Sequence, residues 1–439
     1  MTELIRTDEP QVPGSLRPRI RPLEVAEVQE GDQQLLVLSD PLRLVEDSVV
    51  LPASYLPILE LLDGASSVDE LGTLLVRETG DLSARSFLCS LVGRLDELLL
   101  LDSPRFREAW QAFREEYHRL PTREAALAGV SYPDEPGELR TFLAGLQEQA
   151  RGWRAAEPSA DGAEPPAALV APHIDLRRGG GTLARAYLEW EDSVPRIVAP
   201  GREGRPPEIV VAFGTGHSVV GSRAVLTAKD FETPLGAVPA CRPVVDALGR
   251  ALGDGLFAEE IAHREEHSLE FQALFLAELM ARGARFELVP ILCGSFQGYL
   301  EEGRRPAEDE EVARLVEALR AALREAGRPV RFVAGVDFSH VGPRFGDRWE
   351  LNPENLRRLE EQDRAVIEAA LTGDAEKWFE AIAVQDDSTH ICGFSAVYLM
   401  LRAMGEGRGR LLRYEQSPEE ESQSVVTYAA LAYRMDSAG

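Results

Sequence analysis

Cysteine is scarce in this chain, with four in 439 residues: Cys89, Cys241, Cys293 and Cys392. They lie far apart and none forms a CxxC pair, which argues against a disulfide framework or a cysteine-rich zinc knuckle. Positive charge is also short. There are 47 Lys and Arg against 74 Asp and Glu, a formal net charge of -27. Such a surface repels phosphate backbones, so nucleic acid is not an expected partner. Long apolar runs are missing as well. No stretch approaches the roughly 20 apolar residues that a membrane helix needs, and the opening segment MTELIRTDEPQVPG lacks the apolar centre of a secretion signal. A cytoplasmic protein without membrane contact is the expectation. There is no P-loop, no GxGxxG pattern and no internal repeat.

What is present is enough to build real cores. Apolar residues make up 44% of the chain, and its length calls for two or three domains. Residues 1–30 hold several prolines and little periodicity, and they read as a tail. From Gln33 the pattern changes. Leu35 to Leu38 and Leu42 to Val45 read as paired strands around Ser39-Asp40-Pro41, with Val49 to Leu51 continuing them. Three helices follow: Ala53 to Leu62, one opened by the capping-box spacing of Ser67 and Glu70 and stopped at Gly80, and one from Ser83 to about Glu97. Leu98 to Leu101 reads as a closing strand. Residues 31–103 are therefore expected to form a small winged-helix-like domain, joined by an amphipathic linking helix over 104–121 to a larger domain over 122–439.

The larger domain opens with a turn, SYPDEPGEL, and a helix from Leu139 to about Arg151. Glu157 to Pro166 reads as a surface loop. After that, near-continuous apolar strands alternate with helices. The strands are Ala168 to Ala171, Ile209 to Phe213, Leu288 to Leu292 and Val330 to Val336. The helices are Pro243 to Leu252, Ser268 to Arg282, Asp309 to Ala326, Asn355 to Leu371 and Gly393 to Met404. Ser424 to Tyr433 reads as a last strand. This alternation predicts an α/β fold with a largely parallel sheet covered by helices on both faces.

Ligands in such sheets bind beyond the carboxyl ends of the strands. Three of the seven histidines fall there: His173 in APHID, His217 in FGTGHS and His340 in VDFSH. His173, His217 and Cys392, in THICGFSA at the start of a helix, are the candidate metal ligands. Imidazole and thiolate suit a transition metal, and three protein donors leave positions open for water or substrate. Asp337 and His340 come from one turn and are candidates for acid and base. His267, in EEHSLEFQ, is a candidate to orient a ligand or substrate in the same cleft. Cys392 with His340 as its base is an alternative, nucleophilic reading. His390 either reaches the cleft or points away. His118 and His263 read as solvated, and Cys241 and Cys293 as ordinary buried thiols. Arg177-Arg178-Gly179-Gly180-Gly181 reads as a flexible loop or an anion-binding helix start.

Two family resemblances follow from these residues. ILELLDGASSVDELGTLL and FLCSLVGRLDELLLL, over residues 33–103, are similar to PqqD-like domains, small modules that hold precursor peptides for modifying enzymes. The series APHIDLRRGG, FGTGHS, TPLG, EEHSLEFQ, VPILCG, DFSHVGPRFG and ICG, over about residues 122–435, resembles the Memo family, the AmmeMemoRadiSam system protein B. That resemblance implies the LigB-like fold of class III extradiol dioxygenases and iron or copper bound at His173, His217 and Cys392. It also implies Asp337 and His340 in the same cleft, and a radical-SAM or peptide partner engaged through the N-terminal domain. A peptide- or protein-binding module with a vestigial metal site is the alternative. The chain departs from the family where Ile174-Asp175-Leu176 replaces Ala-Gly-Tyr and where Gly216-His217-Ser218 replaces Ser-His-His.

Overall fold

The computed structural model describes residues 12–45, 47–156, 165–191, 193–194 and 206–435. The chain divides into two compact units at Arg119 and Leu120.

The first unit begins with an antiparallel hairpin, β1 (Glu24–Glu30) and β2 (Gln33–Ser39), and β3 (Val49–Pro52) extends it. The expected tail over residues 1–30 thus holds a full strand from Glu24. Its sequence, EVAEVQE, is exposed along its whole length and hides the strand behind charge. Leu42 to Val45, expected as a strand, is a turn instead. The Asp40 carboxylate accepts the amides of Leu42 at 2.9 Å, Leu44 at 3.0 Å and Val45 at 3.0 Å, so these amides are lost to any ladder. α1 (Leu56–Glu60), α2 (Val68–Thr79), α3 (Ala84–Glu97) and α4 (Pro104–Arg119) follow. The capping box opens α2 as expected, with Ser67 and Glu70 exchanging hydrogen bonds. The predicted strand at Leu98 to Leu101 is a turn through Leu99 (φ 58°), and only an isolated bridge joins Leu101 to Ile20. Leu36, Leu38, Leu51, Leu88, Val92 and Leu95 fill the core. Helix α4, expected as a link, belongs to this unit.

The second unit opens with the two-residue strand β4 (Thr122–Arg123) and helix α5 (Pro136–Ala155). Then come β5 (Ala168–Ala171), α6 (Leu176–Glu191), β6 (Glu208–Thr215), β7 (Ala224–Leu226), β8 (Asp230–Phe231) and α7 (Arg242–Leu252). The chain continues through α8 (His267–Ala281), β9 (Phe286–Cys293), α9 (Gln297–Glu301), α10 (Glu310–Ala326) and β10 (Val330–Gly335). It ends with β11 (His340–Val341), α11 (Pro353–Leu371), α12 (Ala375–Ala383), α13 (Phe394–Met404), β12 (Gly407–Glu419) and β13 (Ser424–Met435). The predicted helices and strands of this region are all found. Residues 157–164 of the expected surface loop lie outside the described residues.

The main sheet runs β11-β13-β5-β10-β6-β9-β7, with β12 also on β13. β5, β10, β6 and β9 are parallel, while β13 and β7 run antiparallel to them. Alternate side chains feed two cores. Leu169, Val210 and Val333 pack on the face that carries α5, α6 and α8. Val170, Val211 and Ala334 pack on the face that carries α7, α10, α12 and α13. Burial on both faces explains why the strands read as unbroken apolar runs. Register aligns Gly335 with Ala171 on one side and Gly214 on the other, so β5, β10 and β6 end level with one another. The segments that leave those three ends carry His173, Asp337 and His217.

The glycines after His173 do not form an anion-binding loop. They lie buried inside α6, where added methyl groups at Gly180 and Gly181 would strike Leu146 and Gln149 of α5. They are small so that two helices can touch. Among the described residues no helix is long and apolar enough to cross a membrane.

Candidate metal centre

β5 ends at Ala171, and the chain turns so that His173 sits almost wholly buried. Its ring Nδ1 lies 2.8 Å from the carbonyl of Gly335, an acceptor only, so the proton resides on Nδ1 and Nε2 is left free. Asp337, leaving β10, pins the same turn: its Oδ1 accepts the amides of His173 at 3.0 Å and Ile174 at 3.1 Å, and its Oδ2 lies 3.7 Å from His173 Nε2. Burial raises the Asp337 pKa, with His173 opposing. Ile174 packs against Tyr428. The Asp175 carboxylate accepts the Arg177 amide at 2.8 Å at the start of α6.

β6 delivers Thr215 and His217. Glu266, the residue before α8, holds His217 by its amide at 2.9 Å and by Nδ1 at 3.0 Å, which again leaves Nε2 free. Glu266 also accepts the Ser268 amide at 3.0 Å and so caps α8. Close approach of α8 to the sheet is possible because Gly214 and Gly335 have no side chain; a methyl group at either would strike Ser268. This contact brings His267 to the site. Its ring lies 4.9 Å from that of His173 and 4.8 Å from that of His217, stacked on the latter at 10°.

Cys392 completes the group. The chain before it passes through left-handed conformations at Asp386 (φ 52°), Asp387 (φ 45°) and His390 (φ 51°). The amides of Cys392 and Gly393 then hydrogen-bond to the carbonyls of Phe338 and Asp337, at 3.1 Å and 3.0 Å. So placed, Sγ lies 3.2 Å from His173 Nε2, 3.3 Å from Thr215 Oγ1 and 3.7 Å from His217 Nε2.

The electrostatics follow from this crowding. Burial alone would raise the Cys392 pKa, but the two imidazoles hold it well below the usual thiol range. Burial likewise disfavours imidazolium at His173, yet Cys392 and Asp337 raise its pKa to about 9. At His217, burial is outweighed by Cys392 and Glu266, and the pKa rises to about 11. Burial beside His173 lowers that of His267 to about 3. Without a metal, the group is thus a thiolate next to two imidazolium rings and one neutral ring. The floor at His173 is closed, whereas the side chains of His217 and His267 are 43% and 36% exposed. The site opens on their side.

The structure therefore brings His173, His217 and His267 together, with Cys392 Sγ against the first two and Asp337 against His173. The donor atoms of the three imidazoles lie within 4.8 Å of one another. His340 is held from behind: its Nδ1 donates to Phe338 O at 3.0 Å, and its ring meets Phe345 edge-on. His390 is exposed, with Nδ1 on the carbonyl of His340 at 3.1 Å. His118 is exposed as expected. His263 is not solvated; it is buried, with Nε2 donating to Val225 O at 3.0 Å. Cys241 and Cys293 are buried free thiols. Two contributors escaped the sequence reading, Glu266 and Thr215. Glu266 had a visible signal, since it precedes His267 at a helix start, where a carboxylate caps exposed amides. Thr215 had none.

With this geometry in place, comparison with known proteins is informative. The family model described as Memo-like protein matches residues 123–432. The chain belongs to the Memo family. A MEMO1 family protein of Aquifex aeolicus is 24% identical over 421 residues, covering 95% of this chain and 100% of the relative. One from Thermus thermophilus is 28% identical over 363 residues, 82% of this chain and 97% of the relative. One from Methanosarcina barkeri is 30% identical over 319 residues, 70% of this chain and 98% of the relative. The Memo match takes in every residue of the cluster, from His173 to Cys392. The Aquifex match is long enough that it must also run into the first unit.

Proposed function

We propose that this Memo-family chain holds an iron or copper ion between His173, His217 and Cys392. In this reading it works as a metal-dependent, oxygenase-like redox component of an AmmeMemoRadiSam-type modification system in the cytoplasm. The observation that carries the reading is the convergence of one thiol and two imidazole Nε2 atoms, at 3.2 Å and 3.7 Å. Both rings have Nδ1 engaged by a fixed acceptor, so each turns an unprotonated Nε2 to the ion once its second proton leaves. That is the donor chemistry of a soft or borderline transition metal.

A bound ion would supply electron exchange and charge stabilisation to a substrate entering from the exposed side. The residues around it have separate tasks. Gly335 O and Glu266 fix the two rings, and the Asp337 carboxylate ties the β5 turn to the β10 turn. His340 keeps Nε2 for proton transfer, since Nδ1 is committed to Phe338 O.

The test is metal analysis of full-length protein purified without oxygen. The expected result is close to one iron or copper per chain, lost in His173→Ala with the fold retained by circular dichroism. Protein that neither carries nor takes up metal, wild type and variant alike, would sink the reading.

The first unit supports a second reading, in which the chain recruits a precursor peptide or a radical-SAM enzyme. β1 is an exposed edge strand whose outer side pairs with no strand among the described residues, the template used in strand addition. Replacing Val28, near its centre, with proline should abolish capture of such a partner by full-length protein and leave metal content unchanged. Unchanged capture would count against docking at this edge.

A further inference from the structure

We propose that His267 is itself a metal ligand, the third imidazole of a three-nitrogen, one-sulfur set. Glu266 is then the shared carboxylate that aims His267 and His217 at the same ion. This inference rests on the metal-site reading above and changes its coordination.

The sequence places His267 on a different element from the other donors, at the head of α8, which is why it reads as an orienting residue. The geometry says otherwise. His267 is as close to each of the other two rings as they are to one another: 4.9 Å to His173 and 4.8 Å to His217, against 5.1 Å between His173 and His217. Donor nitrogens of all three lie within 4.8 Å. Nitrogen and sulfur donors around a tetrahedral ion, bound at ~2.1 and ~2.3 Å, stand about 3.3–3.6 Å apart. The sulfur spacings to His173 and His217, 3.2 and 3.7 Å, are close to this range, and the three nitrogens, within 4.8 Å of one another, would draw together, and His267 toward Cys392, as an ion bound.

Orientation is the second argument. His217 and His267 are stacked almost parallel, and one carboxylate oxygen of Glu266 lies 3.0 Å from the Nδ1 of the first and 3.4 Å from that of the second. Each ring therefore turns its Nδ1 edge toward Glu266 and presents Nε2 on the far side. For His217 that far side is where Cys392 Sγ lies. Glu266 cannot swing away to serve another purpose. It is buried, and its two oxygens also accept the amides of His217 and Ser268. A carboxylate fixed behind two imidazoles is the usual outer support of metal-binding histidines.

The distinction matters for function. Three donors leave a tetrahedral ion one open position; with four, a substrate would reach the ion only through expansion to five-coordination.

The experiment uses full-length, metal-free protein titrated anaerobically with cobalt(II), whose visible bands report coordination. Wild type is expected to bind one ion with intense tetrahedral bands and one sulfur-to-metal charge-transfer band. His267→Cys should roughly double the charge-transfer intensity, because only a residue bonded to the ion adds a second thiolate. Glu266→Gln should keep the band pattern and lose ~10–100-fold in affinity. A charge-transfer band unchanged in His267→Cys, with cobalt still bound at Cys392, overturns the role of His267 and leaves the metal site standing. A wild type that binds no cobalt, or binds it equally well after His173→Ala, overturns the metal reading itself. Should His267→Cys not fold, X-ray absorption of the wild-type complex decides. Three imidazoles with one sulfur support the assignment, and two with one sulfur refute it.

Discussion

His263 shows what burial does to an imidazole that hydrogen-bonds to no carboxylate among the described residues. Its ring is enclosed, Nε2 donates to a carbonyl, and Nδ1 has no hydrogen-bond partner among the described residues. Burial lowers its pKa to about 3. An unfolded chain takes up this proton near pH 6.5, whereas the folded one does so only near pH 3. Stability from this residue is therefore intact above pH 6.5 and falls as the pH drops below it, by up to ~1.4 kcal/mol per unit. Between pH 7 and pH 5, wild type should lose up to ~2 kcal/mol more than His263→Gln, measured by urea unfolding. Equal losses would mean that His263 is hydrated. The thiols allow a parallel comparison. Burial raises the pKa of Cys241 and Cys293, while that of Cys392 is held low by His173 and His217. At pH 7, iodoacetamide should modify Cys392 first in metal-free protein, and His173→Ala should slow it, as read by peptide mass spectrometry. If all three thiols reacted alike, the thiolate–imidazolium pairing would be wrong.

At the scale of elements, the site depends on how closely α8 lies on the ends of β6 and β10. Gly335→Ala places a methyl group against the carbonyl of Ser268 and the side chain of Gln272. It should cost ~1–3 kcal/mol and, by lifting Glu266 and His267, also weaken cobalt binding. Gly145, on the exposed side of α5 with open space around it, is the contrast. Gly145→Ala should stabilise by ~0.5–1 kcal/mol without touching the site. Metal affinity that stayed constant in Gly335→Ala would uncouple α8 from the centre. The same packing explains what could be read in advance. Strands buried on both faces must be apolar throughout, so β5, β6, β9 and β10 stood out, and histidines just beyond β5 and β6 marked the cleft. Elements with a wet face did not stand out. β1 carries charges along its length and reads as tail, and β12, charged as well, gave no strand signal. Leu42 to Val45 has the composition of a strand, but its amides are taken by Asp40. Glu266 was legible at most as a helix cap, since nothing local shows that an imidazole from β6, 49 positions away, meets it.

For the whole molecule, the question is whether the first unit is needed for the second to fold and bind metal. Relatives answer part of it. The Methanosarcina barkeri protein aligns over 319 positions, 98% of its own length and 70% of this chain, about the length of the segment from Leu120 to Gly439. That relative is thus too short to span both units. The second unit also has its own two cores, both made within it. A buried ion pair and hydrogen bonds anchor its start, where Arg123 reaches Glu270 and the carbonyls of His263 and Glu266. That anchor ties the first strand of the unit to the segment carrying Glu266 and His267. Residues 120–439 alone should therefore unfold in one cooperative transition and bind cobalt(II) with affinity within about threefold of the full chain, a difference under ~1 kcal/mol. A fragment begun at residue 124 loses Arg123 and leaves the buried Glu270 carboxylate without its cation, held only by Tyr132 and the amides of Ala126 and Leu127. It should lose ~3–5 kcal/mol and bind metal more weakly. If both fragments bound alike and weakly, the centre would depend on the first unit, and the independence argued from the short relatives would fail.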